Sequence, residues 1–336
     1  MNDFNDMRPD FRAKGTPDGG EGGGNCRRKP PWLKVRLPGT QACNRVRDTL
    51  ARYGLHSICQ EARCPNIAEC FQEGTATFLI LGDICTRNCR YCNVNHGLPA
   101  PVDPEEPQNL VAAVASLALK YVVITSVTRD DLPDGGAAVF AACIAALKEA
   151  LPEVQIEVLI PDFQGREESL AKVTAARPDV INHNIEVVPS LFPALRPQGN
   201  YDLSLGILAR IGGGERPVTK SGLMIGLGEE RGEIHRVLED LAAARCRSVT
   251  IGQYLQPTRR HWPVHKYYHP DEFAALREIA LAMGFAHVEA GPLVRSSYHA
   301  AATAGLAGKD QGSAKKTTDS RPLQGRREPE EGNCHV

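Results

Sequence analysis

The chain has 336 residues, 42% of them hydrophobic, with 39 basic and 40 acidic side chains and a formal net charge of −1. That is enough apolar material for a large core, and the balanced charge excludes the broad basic field of most nucleic-acid binders. No apolar run approaches the roughly 18 residues of a membrane span, and the opening MNDFNDMRPDF lacks the apolar centre of a secretory signal.

The expectation is therefore a cytoplasmic chain that engages neither nucleic acid nor membrane. Thiols stay reduced in that compartment, so eleven cysteines point to metal binding or catalysis and not to disulfides.

In chain order, residues 1–30 form a tail whose stretch DFRAKGTPDGGEGGGNCRRKP is rich in glycine and charge, and it is predicted to be disordered. Residues 31–76 make an N-terminal extension. From 77 to 290 apolar, β-branched runs alternate with helical patterns. Strands are predicted at 77–82, 121–127, 154–160, 179–186, 222–228 and 248–254, with a seventh short one near 286–290. Helices are predicted near 104–119, 136–150, 166–177, 201–212, 230–245 and 270–284. Residues 291–301 form a C-terminal segment containing RSSY, and 302–336 a second disordered tail.

Strands separated by single helices imply right-handed βα units on a parallel sheet. Six units fall short of eight, so the predicted fold is α/β, a partial (β/α)6 TIM-type barrel with N- and C-terminal extensions covering its open end. A doubly wound open sheet is the alternative. In barrels the chemistry sits at the carboxyl ends of the strands.

CTRNCRYC places Cys85, Cys89 and Cys92 in a CxxxCxxC pattern on the loop after the first predicted strand. Three thiolates on one short loop can hold three corners of a cubane iron–sulfur cluster and leave its fourth iron open. A zinc site completed by His96 is the competing reading. Upstream, CQEARCPNIAEC places Cys59, Cys64 and Cys70 at CxxxxCxxxxxC, again three thiols and not four. Two triplets within 34 residues point to two clusters, each in need of one ligand that is not cysteine. Cys26 and Cys334 fall in the tails and read as incidental, whereas Cys143 and Cys246 lie in helical patterns and read as core thiols.

CxxxCxxC after the first strand of a βα barrel, with the aromatic Tyr91 before the last cysteine, resembles the radical S-adenosylmethionine (SAM) superfamily. Together with CQEARCPNIAEC it resembles the lipoyl synthase family. KPPWLKVRLP (29–38), TSVTRDDLPDGG (125–136), HNIEVVPSLFPALRP (183–197), TIGQYLQPT (250–258) and GPLVRSSYHA (291–300) extend the resemblance over about 29–301.

The resemblance implies two [4Fe–4S] clusters and SAM as cofactors. Cys85, Cys89 and Cys92 would hold the cluster that cleaves SAM, and Cys59, Cys64 and Cys70 an auxiliary cluster that donates sulfur. Its fourth ligand would be Ser296 of RSSY, or less favourably Ser297; composition alone would read Ser-Ser there as a cap or turn. The SAM contacts are expected at Thr125 and Ser126, at Asn184 and Glu186, and at Arg196, whose alternative is a solvated surface charge. GLMIGLGE (222–229) resembles the superfamily's GxIxGxxE stretch, and Gly135 with Gly136 form either a loop near the methionyl amine or a plain turn.

The implied reaction places two sulfur atoms at C6 and C8 of a protein-bound octanoyl-lysine. The implied partners are octanoylated lipoyl carrier domains (2-oxoacid dehydrogenase E2 subunits and the glycine cleavage H protein), a ferredoxin or flavodoxin electron donor, and an iron–sulfur carrier that rebuilds the auxiliary cluster. Prolines 257, 263 and 270 argue that RRHWPVHKYYH is a loop and not a helix with a His261, His265 and His269 metal face. Arg259, Arg260 and Lys266 there are available to an acidic carrier domain. Two rivals stand beside this reading: a sulfur inserter of the biotin synthase type, and an iron–sulfur electron carrier or structural zinc protein.

Overall fold

The structure is a computed structural model that describes residues 29–34, 41–61, 64, 66, 69–70, 76–212 and 217–309. Cys26, Cys334 and most of both predicted tails lie outside the described residues.

Among the described residues ten strands follow in chain order: β1 His56–Ser57, β2 Ala76–Ile80, β3 Ile84–Cys85, β4 Asn95–His96, β5 Tyr121–Ser126, β6 Gln155–Leu159, β7 Val180–Asn182, β8 Val218–Ile225, β9 Ser248–Gln253 and β10 His287–Gly291. Among the described residues eight of them form one sheet in the order β1-β2-β5-β6-β7-β8-β9-β10. All neighbours in it are parallel except β1, which runs antiparallel along β2.

The six crossovers from β2 to β10 contain the helices Glu106–Leu117, Ala137–Ala150, Glu167–Ala175, Tyr201–Ile211, Arg231–Ala243 and Pro270–Ala282. These are the six predicted βα units, and β10 is the short seventh strand. Local chemistry starts the helices where expected: Asn200 accepts from Leu203 N–H, Glu230 and Glu233 form a capping box, and Pro270 follows a His269–Glu272 box. Helix faces and strand sides meet in two apolar clusters, one around Phe78, Phe140 and Ile124, the other around Ile251, Leu238 and Phe273.

The curved sheet does not pair β1 with β10. The extensions close that seam with side chains: Asn66 Nδ2 donates to Leu293 O at 2.5 Å, and Tyr298 OH donates to Glu69 Oε1 at 3.0 Å. A helix Ala300–Lys309 then packs under the amino ends of the strands, where Ala300 and Leu306 meet Tyr121, Val180 and Val218. It carries ordered chain past residue 302, into the stretch predicted to be disordered. Its register is set by small residues, which carry little hydrophobic signal in a sequence.

Two strand bounds differ from expectation by four residues, the others by three or fewer. The strand predicted at 179–186 pairs regularly only through Asn182, and β8 begins at Val218 and not at residue 222. Both differences place polar side chains inside the barrel.

Candidate functional site

The barrel encloses a cavity of about 760 Å³ that reaches the seam. Cys92 and Tyr91 line it from the loop after β2. Cys59 and Cys64 line it from the N-terminal extension, and Arg295, Ser296 and Ser297 from the C-terminal segment. One cysteine of the first triplet and two of the second therefore address one space from separate loops, whereas Cys70, Cys85 and Cys89 do not line it.

The loop 85–92 is held at several points. Cys85 Sγ accepts backbone N–H groups from Arg87 at 3.4 Å and Thr128 at 3.3 Å, and Thr86 Oγ1 donates to Thr128 O at 2.9 Å. Arg87 is the anchor that sequence reading passed over. Its Nε and Nη2 bind Asp130 at 2.7 and 2.9 Å, and its Nη1 and Nη2 bind Asp162 at 2.5 and 2.7 Å.

Two bidentate forks on one guanidinium thus pin this loop to those after β5 and β6. An arginine between two cysteines signals nothing by composition. Only the fold brings Asp130 and Asp162 to it. On the far side His261 Nε2 contacts Cys92 O at 2.9 Å, and Trp262 N–H donates to Arg90 O at 3.0 Å. The segment 259–269 has no regular structure, as predicted, and contacts the cysteine loop through His261 and Trp262.

Burial pushes the Cys92 thiol up to about 12, and raises Cys89 as well against the pull of Arg196. Cys59 and Cys64 share a hydrogen bond that raises Cys59 and lowers Cys64 to about 6, with Arg295 also favouring the Cys64 thiolate. Buried thiols that repel one another's charge are suited to a cationic centre that pays for their ionisation. Three soft donors per loop, with N–H groups on Cys85 Sγ, fit an iron–sulfur cluster. His96, the remote ligand of the competing zinc reading, is exposed and does not line the cavity.

Of the five expected SAM contacts, Thr125, Asn184 and Glu186 line the cavity. Glu186 reaches it by leaving the ladder with φ +69, keeping one bridge to Leu223. A non-glycine residue in that region is held against its preference by its surroundings, here by bonds from Glu186 N–H to Gly222 O and from Met224 N–H to Glu186 O. Burial pushes the Glu186 carboxyl up, opposed by Arg196.

Ser126 does not line the cavity, and its buried Oγ has no hydrogen-bond partner among the described residues. Arg196 is no solvated charge. It lies behind the wall, 8% exposed, with Nη1 donating to Asn184 O at 3.4 Å and Nη2 at 3.8 Å from Asp162. Gly135 and Gly136, at φ +64 and +89, form the turn that starts the helix Ala137–Ala150, and a Cβ on Gly136 would meet Leu81 at 2.3 Å. In GLMIGLGE, Glu229 folds back to accept the N–H groups of Gly226, Leu227 and Gly228. Cys143 and Cys246 are buried core thiols.

Asp162 carries a pH signature. Burial favours its neutral form, but Arg87 outweighs this and holds the carboxyl below the ordinary range. A carboxyl depressed in the folded state contributes stability above its unfolded pKa of about 3.9 and loses it as pH falls through the folded value. Arg87→Met is expected to cost about 2 kcal/mol at pH 7, since Arg196 still faces Asp162 and Asp130 is partly in water. It should also flatten the acid-induced loss below about pH 4. Urea unfolding of both proteins at pH 7 and pH 3 measures this, and an equal acid loss in the two would refute the assignment.

Residues 79–241 match the Radical SAM superfamily, and residues 18–64 match the N-terminal domain of lipoyl synthase of the radical SAM family. The chain is 51% identical over 288 residues to a lipoyl synthase of Chloroflexus aurantiacus, covering 85% of this chain and 94% of that one. It is 52% identical over 274 residues to one of Caldicellulosiruptor bescii, covering 81% and 94%. The lipoyl synthase of Xylella fastidiosa is 52% identical over 277 residues, with coverage of 81% and 74%.

Proposed function

The chain belongs to the lipoyl synthase family of radical SAM enzymes, and from that premise we propose that it inserts two sulfur atoms, at C6 and C8, into an octanoyl-lysine on a lipoyl carrier protein. The observation that carries this reading is the meeting of Cys59, Cys64, Cys92 and Ser296 on the wall of one cavity. An electron carrier has no need of an enclosed substrate space. A biotin-synthase-type enzyme, the nearer rival, would draw its second-cluster ligands from barrel strands.

When bound, the two [4Fe–4S] clusters and SAM supply electron transfer, hydrogen abstraction from an unactivated carbon, and sulfide. The protein's own side chains bind, orient and exclude water. Cys85, Cys89 and Cys92 hold the first cluster, with Arg87 fixing their loop. Cys59, Cys64, Cys70 and Ser296 hold the auxiliary cluster across the seam.

Thr125 and Glu186 face the nucleoside of SAM from the strand ends. Arg196, behind Asn184, fixes the wall and contributes the positive charge that a methionyl carboxylate requires. Tyr91, Leu159, Leu223, Met224 and Tyr254 supply apolar surface for an alkyl chain and keep water from the reacting carbons.

The finer partners are the E2 subunits of 2-oxoacid dehydrogenases and the H protein of glycine cleavage, with a ferredoxin or flavodoxin as donor and an iron–sulfur carrier to rebuild the auxiliary cluster. Exposed Arg259 and Arg260, on the loop over the cysteine site, offer charge to an acidic carrier. Among the described residues no helix is long and apolar enough to cross a membrane; we assign the reaction to the cytoplasm.

After anaerobic reconstitution the expected content is about eight irons per chain. An octanoyl-lysine peptide incubated with SAM and reductant should gain two sulfurs, and lose two hydrogens in its closed, oxidised form. Stoichiometric zinc in place of iron, or an unchanged peptide mass alongside SAM cleavage, would overturn the proposal.

A further inference from the structure

Asn184 stands between two groups that the proposed reaction assigns to different cofactors. Its side-chain Nδ2 donates to Ser296 Oγ at 2.7 Å and to Glu186 Oε1 at 3.1 Å. One amide thus spans from the expected SAM wall to the expected auxiliary ligand, 112 residues apart in the chain.

The carboxylate selects the orientation of the amide: Glu186 only accepts, so turning the group over would set Oδ1 against its oxygen, whereas the Ser296 hydroxyl can accept from Nδ2 as it stands. On the other side Oδ1 is buried without a hydrogen-bond partner among the described residues, and a Cβ on Gly222 would stand 2.7 Å from it. Gly222 therefore leaves room for this side chain. Arg196 holds the backbone from behind through Asn184 O.

We propose that Asn184 is a positioning residue for Ser296: its amide aims Ser296 Oγ, and not that of Ser297, at the auxiliary cluster. The proposal rests on reading Ser296 as the oxygen ligand. A ligating serine oxygen bears negative charge, and a neutral N–H donor satisfies it without competing for the iron. The second hydrogen, given to Glu186, fixes the amide plane, so the donor cannot swing away from the serine. This is the outer-shell arrangement that orients ligands in metal sites generally. Because Glu186 also faces the SAM wall, the serine's support is shared with that wall.

The test isolates the auxiliary site by working in the full chain with Cys85, Cys89 and Cys92 changed to alanine. Ser296→Ala in this background is expected to lose one of about four irons and give the paramagnetic signal of a three-iron cluster on oxidation. If it keeps four irons, the ligand assignment itself fails. Asn184→Asp keeps the shape but replaces the donor with a charge that accepts only. It should raise the three-iron signal at least about 10-fold over the parent.

Asn184→Ala, which adds no charge, should raise it too, by a smaller factor. Iron analysis and the spectrum report this without reference to turnover. If Ser296→Ala loses its iron while both Asn184 variants retain four at the parent's signal, Asn184 does not position the ligand and the proposal falls, with the reading of Ser296 intact.

Discussion

Cys64→Ala is expected to lower sulfur insertion by more than about 100-fold while SAM cleavage survives. Cys92 of one triplet and Cys59 and Cys64 of the other line one cavity, and their segments meet where Asn93 Nδ2 donates to Glu61 O at 2.9 Å, but the cysteines themselves are held by different bonds. Cys85 is held by N–H donors from Arg87 and Thr128, and its loop by Asp130, Asp162 and the segment around His261. Cys64 hangs from the N-terminal extension, where its backbone N–H bonds Cys59 O at 2.9 Å and the neighbouring Asn66 docks on Leu293. Among the described residues, none of these bonds of the first loop involves the Cys64 side chain.

Truncating Cys64 therefore removes a donor from the auxiliary site and leaves the SAM-cleaving site assembled. The readouts are 5′-deoxyadenosine release and the mass of the octanoyl peptide, measured on the same sample. Cys92→Ala, in contrast, should silence both. Wild-type lipoyl yield from Cys64→Ala would mean that the sulfur comes from elsewhere; loss of both products would mean that the two sites are not separable as the geometry implies.

How much of this was readable from sequence follows from where each signal lives. The strands β5, β6 and β9 are legible because YVVITSV, VQIEVLI and SVTIGQY are short stretches rich in apolar and β-branched residues between helical patterns, a local signal. Both triplets were legible because cysteine spacing is also local. The start of β8 was missed because Lys220 and Ser221 interrupt its apolar run, and a buried lysine is tolerated only by a partner 63 residues earlier.

The same limit hid Arg87, whose meaning lies in Asp130 and Asp162, and Asn184 as the neighbour of Ser296. Glu186 was chosen for a strand end, and its exit from the ladder at positive φ could not be foreseen from an ordinary-looking HNIE. Strands of two residues, such as β1 and β3, have no periodicity to read.

Lys220→Met is expected to cost about 3 to 5 kcal/mol of stability. Lys220 Nζ lies 3.0 and 3.2 Å from the two oxygens of Glu157, and the two side chains are 1% and 0% exposed. Tyr121 OH donates to Glu157 Oε2 at 2.6 Å, and Asn182 Nδ2 to Oε1 at 3.4 Å. The network lies between the cavity, which Glu157 and Asn182 line, and the helix Ala300–Lys309 below.

Removing the lysine leaves a carboxylate with two neutral donors and no counter-charge on a side chain that is 0% exposed. That residual charge, more than the lost attraction, sets the size of the penalty. Adding Glu157→Gln to the variant discharges the site and still offers Tyr121 an acceptor. The double variant should therefore recover about 1 to 3 kcal/mol relative to Lys220→Met alone. Anaerobic urea unfolding of the reconstituted proteins measures the cycle. Equal stability of the single and double variants would mean that Lys220 acts by filling volume and not by balancing Glu157, and the barrel floor would then be held by packing around Tyr121 and Val218.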